Sequence, residues 1–297
     1  MRCWRVPERV TGLAPAKVNL ILEVLGKRLD SFHELRTVLQ TLELSDTVTI
    51  ASRDVFGVPV TVTGPFAPGT PADESNLAWR AAQFLAQRTG NSVDNLAVHL
   101  EKQIPPAGGL GGGASDAATT LRLLQQVWDN ASDRDVFAAA AATGSDEPFF
   151  VCGGTALATG RGEHVEPVAA LDDHAVVLFL PHTTIEMKTP KMFQALAATG
   201  FDDGGATAIF LEASPRRVRS NDVYNAFERV AFDVFEGLGA LHADLERRTG
   251  AAIRLAGAGP TLFWIGPPGE GAAIAESAPG TACGVILTAT APSLWKP

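Results

Sequence analysis

Five glycines crowd into the six positions 108–113, inside the stretch IPPAGGLGGGASDAATTLRLL at residues 104–124, and a helical pattern follows them without a break. A run without side chains that feeds a helix presents several backbone N–H groups, and the positive end of the helix dipole, to one point. That point suits an anion. Pro105 and Pro106 stiffen the entry, and Gly108, Gly109, Gly111, Gly112 and Gly113 permit close backbone approach to a ligand. Ser115 and Asp116 are expected as cap and first-turn residues, after which Ala117, Leu121, Leu124 and Trp128 recur on one helical face. A flexible tether would carry serine-rich linker composition and no amphipathic continuation.

Several nucleotide loops can be compared with this one. A Walker A loop ends in Gly-Lys-Ser/Thr, whereas Gly113 is followed by Ala114. Residues 109–114 fit the looser dinucleotide pattern GxGxxA, with Asp129 about twenty residues beyond Gly109. That fingerprint turns directly out of a strand, however; here two prolines intervene, and Asp129 ends a helix where a second strand should end. A protein-kinase glycine loop lacks its V-A-I-K strand and its H-R-D and D-F-G partners.

Composition narrows the function further. The 297 residues are 46% hydrophobic and 19% charged, as in soluble globular proteins, and suffice for one large or two ordinary domains. The net charge of −9 disfavours nucleic-acid or anionic-membrane partners, so a phosphate ligand needs local donors. Cys3, Cys152 and Cys283 form no CxxC pair, and the six histidines show no HxxxH or HExxH spacing, so neither a disulfide framework nor a protein-ligated metal is expected. The longest apolar runs, 136–142 and 175–180, are too short for a bilayer, and the expected compartment is the cytoplasm.

In chain order, APAKVNLILEVLGKR from Ala14 alternates as a half-buried strand, with Lys17 at its mouth. Residues 26–35 are turn-rich. They carry Phe32 and His33, a pair that by itself reads as packing of a surface loop. Residues 37–50 read as strand, Ser45-Asp46 turn, strand; 58–62 and 96–100 as further strands. Ser75 or Asn76 caps a helix stopped by Gly90, and Ser132 with Asp135 starts another closed by Gly144. Lys102 is either a solvated strand-end charge or a cation leaning toward bound phosphates. Asp146, in GSDEPFF, reads locally as a turn or cap residue. Residues 151–163 read as a glycine hairpin, 221–235 and 238–248 as helices with Gly250 as a stop, and 270–290 as helix then strand.

Taken together, these segments resemble the GHMP small-molecule kinases, and most of all the branch acting on 4-diphosphocytidyl-2-C-methyl-D-erythritol. The glycine run is similar to P-x-x-x-G-L-G-G-G-S-S-D-A-A, with Ala114 in place of the first serine. PAKVNL at 15–20 resembles P-A-K-[IVL]-N-L, GKRLDSFHEL resembles G-x-R-x-D-G-[YF]-H-x-L with Ser31 for glycine, and GSDEPFF resembles G-[AS]-D-[VI]-P-F-F with Glu147 for an aliphatic residue. Residues 187–196 resemble V-S-T-x-x-V-Y-x-x-L, and AGAGPTLF at 256–263 resembles S-G-S-G-P-T-x-F with alanine at 256 and 258.

The resemblance implies an α+β, two-lobed fold. Residues 1–165 would form an N-terminal nucleotide-binding lobe with a mixed sheet, and 166–297 a ferredoxin-like α/β sandwich, the site lying in the cleft between them. It implies ATP and Mg²⁺, with Lys17 and Asp146 as catalytic pair and Asp146 as base. The nucleotide would be held by Pro105, Pro106, Ala107, Gly108, Gly109, Leu110, Gly111, Gly112, Gly113, Ala114 and Ser115, and the cytidyl substrate by Asn19, Phe32, His33 and Phe193. The acceptor would be the C2 hydroxyl of the cytidine diphosphate ester, and the protein a monomer or homodimer. A homoserine or mevalonate-type kinase, and a catalytically silent nucleotide-binding relative, are the alternatives.

Overall fold

The computed structural model describes residues 9–183, 185–278 and 283–293; Cys3 lies outside them. Two long strands organise the first half. β1 (Val10–Lys27) and β2 (His33–Ser52) pair antiparallel along their whole length, joined by a tight connection at residues 28–32. One edge of β2 serves two partners in succession. Its first part pairs with β5 (Thr155–Gly160), itself paired to β6 (His164–Pro167). Its last part pairs with β4 (Leu96–Glu101), which carries β3 (Val60–Thr63) in parallel. The short β8 (Tyr224–Asn225) adds to β1 in parallel and completes a seven-stranded mixed sheet.

The second sheet holds β7 (Ala175–Pro181), β9 (Arg254–Leu255), β10 (Leu262–Gly266) and β11 (Cys283–Ala289) in the order β11-β7-β10-β9, all antiparallel. Counted along the chain, that order is four-one-three-two, the ferredoxin-like arrangement that the resemblance implied. Three apolar cores follow from the layering. One lies between the first sheet and its helices and one within the second half; the third joins Val18, Leu20 and Val38 to Val176, Leu178 and Phe263 between the two sheets.

The layering corrects two strand readings. β1 is not half-buried with Lys17 at its mouth: it starts at Val10, and every residue from Ala14 to Val24 is buried, because first-lobe helices cover one face and the second sheet the other. β2 does not turn at Ser45-Asp46. The strand runs straight through, and the fully buried Asp46 carboxylate accepts from the backbone N–H groups of Gln103 (2.5 Å) and Ile104 (2.8 Å). An aspartate that would normally serve its own turn serves the entry to the glycine loop instead.

The helix boundaries at Asn76, Gly90, Ser132–Asp135, Gly144 and Gly250 are capped as expected. The helix expected over 221–235 is shorter, Glu228–Val234, because Tyr224 and Asn225 are taken into the first sheet. A helix at Gly205–Ala213 has no counterpart in the sequence reading; its first N–H groups, at Ala206 and Thr207, are met by the buried Glu23 carboxylate from β1. No described helix is long and apolar enough to cross a membrane.

Candidate active site

The glycine loop delivers the helix Gly112–Val127, whose N-cap is Gly111 in the left-handed region, without a side-chain cap. Ser115 and Asp116 are therefore not the cap pair; they lie inside the first turns and are buried. No backbone N–H from 108 to 114 finds an acceptor among the described residues, so the loop offers a row of unused donors. The backbone itself demands glycine at two points. Gly109 and Gly111 have φ of 87° and 76°, and a Cβ at Gly111 would lie 2.6 Å from the Phe150 ring and 3.2 Å from Lys17 Cγ.

That last approach puts Lys17 against the loop. Its backbone N–H donates to Leu110 O at 2.9 Å, and its side chain is only 4% exposed. Register irregularities in β1 at Pro15/Lys17 and Asn19/Ile21 flank the two polar residues, the device by which strands re-aim side chains. Lys17 Nζ donates to Asn19 Oδ1 (2.7 Å), Asn19 Nδ2 donates to Thr37 Oγ1 (2.8 Å), and Thr37 Oγ1 donates to Ile21 O (2.6 Å). The chain of donors fixes the Asn19 amide with its oxygen toward the lysine. Burial holds the Lys17 ammonium below the ordinary lysine range, against the opposing pull of Asp146.

Asp146 sits at the N-cap position of the short helix Glu147–Cys152 but makes no capping bond, so the local cap reading does not hold. Its side chain is exposed. Beside it Glu147, the departure from the aliphatic pattern, is buried, and burial, assisted by the Asp146 charge, pushes its pKa up to about 7.

The third glycine turn closes the other side. Ala256 N–H donates to Thr261 O (2.9 Å) and Gly259 N–H to Ala256 O (2.8 Å), so the turn forms without hydroxyl groups at 256 and 258. Asn225 Nδ2 donates to both Leu255 O and Gly257 O at 2.8 Å. A Cβ at Gly257 would lie 3.0 Å from Lys17 Nζ, and Thr261 N–H reaches Gly108 O at 3.3 Å. Both glycine turns and the lysine thus share one pocket wall.

Two residues were missed or misplaced by sequence. Lys188, from the first position of the helix Lys188–Ala197, donates to Ala107 O and to Gly259 O, each at 2.6 Å, and no local pattern marked it. Lys102 is neither a solvated lysine nor a cation leaning into the cleft. It is buried between Asp46 and Asp116, 2.5 Å from the latter. Burial alone would lower its pKa, but the two carboxylates reverse the sign and raise it. Burial and the Asp46 charge push Asp116 up to about 8 against the pull of Lys102. The hydroxyl of Ser115 and the Oδ1 of Asp116 are buried without hydrogen-bond partners.

At the far end His33 and Phe193 stack at 4.1 Å with an interplanar angle of 8°, and Phe193 meets Phe227 edge-on at 5.0 Å. The half-buried His33 has its pKa lowered by burial and by Lys27. Arg161, from the hairpin after Asp146, lies over the exposed Phe32 ring at 4.9 Å. Two halves of the chain thereby supply one aromatic cluster. His33 and Phe193 touch each other directly, so the two rings leave no slot between their faces. A separate hollow of about 830 Å³, lined by His174, Arg216, Arg217 and Pro267 among others, lies elsewhere, and its two arginines are paired with Asp172. No group of three or more His, Cys, Asp or Glu side chains that could hold a metal exists among the described residues.

Residues 76–154 match the GHMP kinases N terminal domain. The 4-diphosphocytidyl-2-C-methyl-D-erythritol kinase of Rhodococcus jostii is 35% identical over 297 residues, covering 97% of this chain and 94% of the relative. The crystal structure of a 4-(cytidine 5'-diphospho)-2C-methyl-D-erythritol kinase superposes with a TM-score of 0.75 at 30% identity, over 95% of this chain and 99% of that one. The L. major mevalonate kinase in complex with R-mevalonate gives a TM-score of 0.70 at 16% identity, over 96% and 98%, a likeness of fold.

Proposed function

Because the chain belongs to the GHMP kinase family and, within it, to the 4-diphosphocytidyl-2-C-methyl-D-erythritol kinases, we propose how its residues share the work of moving the ATP γ-phosphoryl group to that substrate. The observation that carries the reading is the row of unpaired backbone N–H groups at 108–114 against the buried Lys17. These amides and the helix dipole hold the nucleotide phosphates. Phosphoryl transfer asks mainly for alignment and charge neutralisation, and both are at hand.

The exposed Asp146 carboxylate accepts the hydrogen of the acceptor's C2 hydroxyl and orients its oxygen toward the γ-phosphorus. As the new O–P bond forms, the bond from phosphorus to the β–γ bridging oxygen breaks; ADP leaves and the hydroxyl proton passes to Asp146. A carboxylate is a weak base, so the proton moves late and orientation is the larger contribution. Lys17, locked by Asn19 and Thr37, faces the charge that builds on the transferred group. Phe32, His33 and Phe193 form the cytidyl end, where aromatic faces suit a pyrimidine, while Asn19 lies beside Lys17, nearer the reacting end of the acceptor.

Magnesium fits as a cation carried on the phosphates rather than in a protein cage, since it commonly takes few protein ligands. The Ser115 hydroxyl, which lacks a partner among the described residues, would be a candidate oxygen ligand, and the ion would neutralise phosphate charge. Ser115 is fully buried, so this contact requires the first helical turn to shift. The division expected at 165/166 falls inside β6, the last strand of the first sheet before β7 opens the second, and the free thiols of Cys152 and Cys283 suit the cytoplasm.

The test is ADP formation with ATP plus 4-diphosphocytidyl-2-C-methyl-D-erythritol, against omission of the acceptor and against homoserine and mevalonate. ADP should appear only with the cytidyl ester. Equal release without it, or turnover of the two smaller alcohols instead, would discard this reading.

A further inference from the structure

Lys188 breaks two local rules. It occupies the first position of a helix, where unpaired N–H groups and the dipole already make the surroundings positive. It also lies close enough to Lys17 for the two ammonium groups to repel one another. Among the described residues neither lysine forms a salt bridge. What holds Lys188 in place is a pair of neutral carbonyls, Ala107 O in the glycine loop and Gly259 O in the third turn, 81 and 71 residues away. An ammonium has three N–H donors, so two bonds leave one unspent. Placing a cation where the fold alone opposes it is a sign of function rather than of stability.

We propose that Lys188 is a phosphate-contacting residue of the second half of the chain, which meets the transferred phosphoryl group together with Lys17 and ties the two glycine turns together around it. The inference rests on the reading of the cleft as the site of phosphoryl transfer. The charged groups around Lys188 are Lys17 from β1 and Asp146 from the N-terminus of the Glu147–Cys152 helix; the two turns that accept its hydrogen bonds carry no titratable side chain. Two ammoniums against one carboxylate leave positive charge unbalanced, which an incoming triphosphate corrects. The register that places Phe193 on the tyrosine of V-S-T-x-x-V-Y puts Lys188 on its serine, so the resembled pattern does not itself call for a cation here. It stands beside a turn whose two hydroxyl positions are alanine, and it supplies donors there that those alanines do not.

Burial and the Lys17 charge lower the Lys188 pKa to about 8, with Asp146 opposing, so the ammonium should be lost as pH rises through that range. The experiment compares Lys188→Met, Lys188→Gln and Lys188→Arg with Lys17→Met, using ATP, Mg²⁺ and the cytidyl ester. Lys188→Met should lower kcat and kcat/KM together by roughly 10- to 100-fold, the pattern of an interaction made in the transition state. Lys188→Gln keeps an amide donor for the carbonyls but no charge, and should be nearly as slow; Lys188→Arg should recover to within about fivefold. The fall of wild-type kcat/KM above about pH 8 should be absent from the Met variant. Wild-type kcat in the Gln variant would reduce Lys188 to a neutral strut and overturn the proposal. Full activity in both Lys188→Met and Lys188→Gln, with Lys17→Met inactive, would overturn it while leaving the cleft assignment standing. Full activity in Lys17→Met as well would remove the cleft assignment itself.

Discussion

Lys17 and Lys102 are buried to the same degree, 4% and 3% exposed, yet their environments drive their pKa values in opposite directions. Lys102 lies between two carboxylates and is held protonated. Its charge is already spent on fastening β2 and the loop helix to the end of β4. Lys17 has a neutral amide for its nearest partner and is disfavoured by burial, with Asp146 too far for a direct salt bridge. Burial alone therefore says little about what a lysine does; the charge of its neighbours does. One lysine is a finished ion cluster, the other an ammonium with no salt bridge among the described residues, open to a counter-charge from outside the protein.

The largest effect that would sharpen this contrast lies on the unfinished side. Asp146→Asn should lower kcat by roughly 10²- to 10⁴-fold, with ATP affinity little changed and the fold intact, because the carboxylate makes no hydrogen bond among the described residues. Steady-state kinetics with a thermal melt on the same sample reads both. Undiminished turnover would take Asp146 out of the reaction and make the open cluster as inert as the closed one.

On the finished side the same kind of deletion should appear in stability. Lys102→Met leaves Asp46 and Asp116 facing each other in the interior, and breaking a buried ion pair from one end costs about 3–5 kcal/mol. Asp116, already raised to about 8 with the lysine present, relieves part of this by holding its proton. The cost should lie near the lower bound in acid and grow with pH, since a carboxyl whose folded pKa is raised loses its stabilising proton as pH climbs through that value. Urea melts at pH 6 and 8.5 measure it. A Lys102→Met protein of wild-type stability at both would dissolve the distinction.

The same contrast separates what was legible in the sequence from what was not. The glycine loop, its helix and the caps at Asn76 and Ser132 are local devices, and each was readable because the residues that act together are neighbours in the chain. Asp46 was not. A Ser-Asp pair looks like a turn until Lys102, Gln103 and Ile104 claim its carboxylate from more than fifty residues away. The alternation of β1 suggested one wet face, and no periodicity within the strand announces that a second sheet covers it. Lys17, Asn19 and Asp146 were named from motif resemblance, and the structure brings Lys17, Asn19 and the glycine loop together with Asp146 in electrostatic reach. Lys188 had no local signal, since both its partners are distant backbone carbonyls. Phe193 meets His33 across the two halves, which no spacing could have disclosed.

The smallest expected effect tests the comparison with the charge reversed, at Glu147. It is a buried acid with no cation in direct contact, the negative counterpart of Lys17, and its folded pKa of about 7 stands above the value of about 4.3 expected when unfolded. The native state then holds a proton that the unfolded chain has released between these values. The resulting stability is complete below the unfolded pKa and is lost as pH rises through about 7, a change of roughly 3–4 kcal/mol. Glu147→Gln keeps the shape and cannot ionise. Its stability should match wild type near pH 4 and exceed it above pH 7.5, with kcat changed much less than by Asp146→Asn. Asp116 titrates nearby in both proteins, so the difference between the two curves, not either slope alone, isolates Glu147. Parallel curves would mean that the carboxylate finds compensation when charged, and that a buried unpaired charge in this molecule need not point to a ligand.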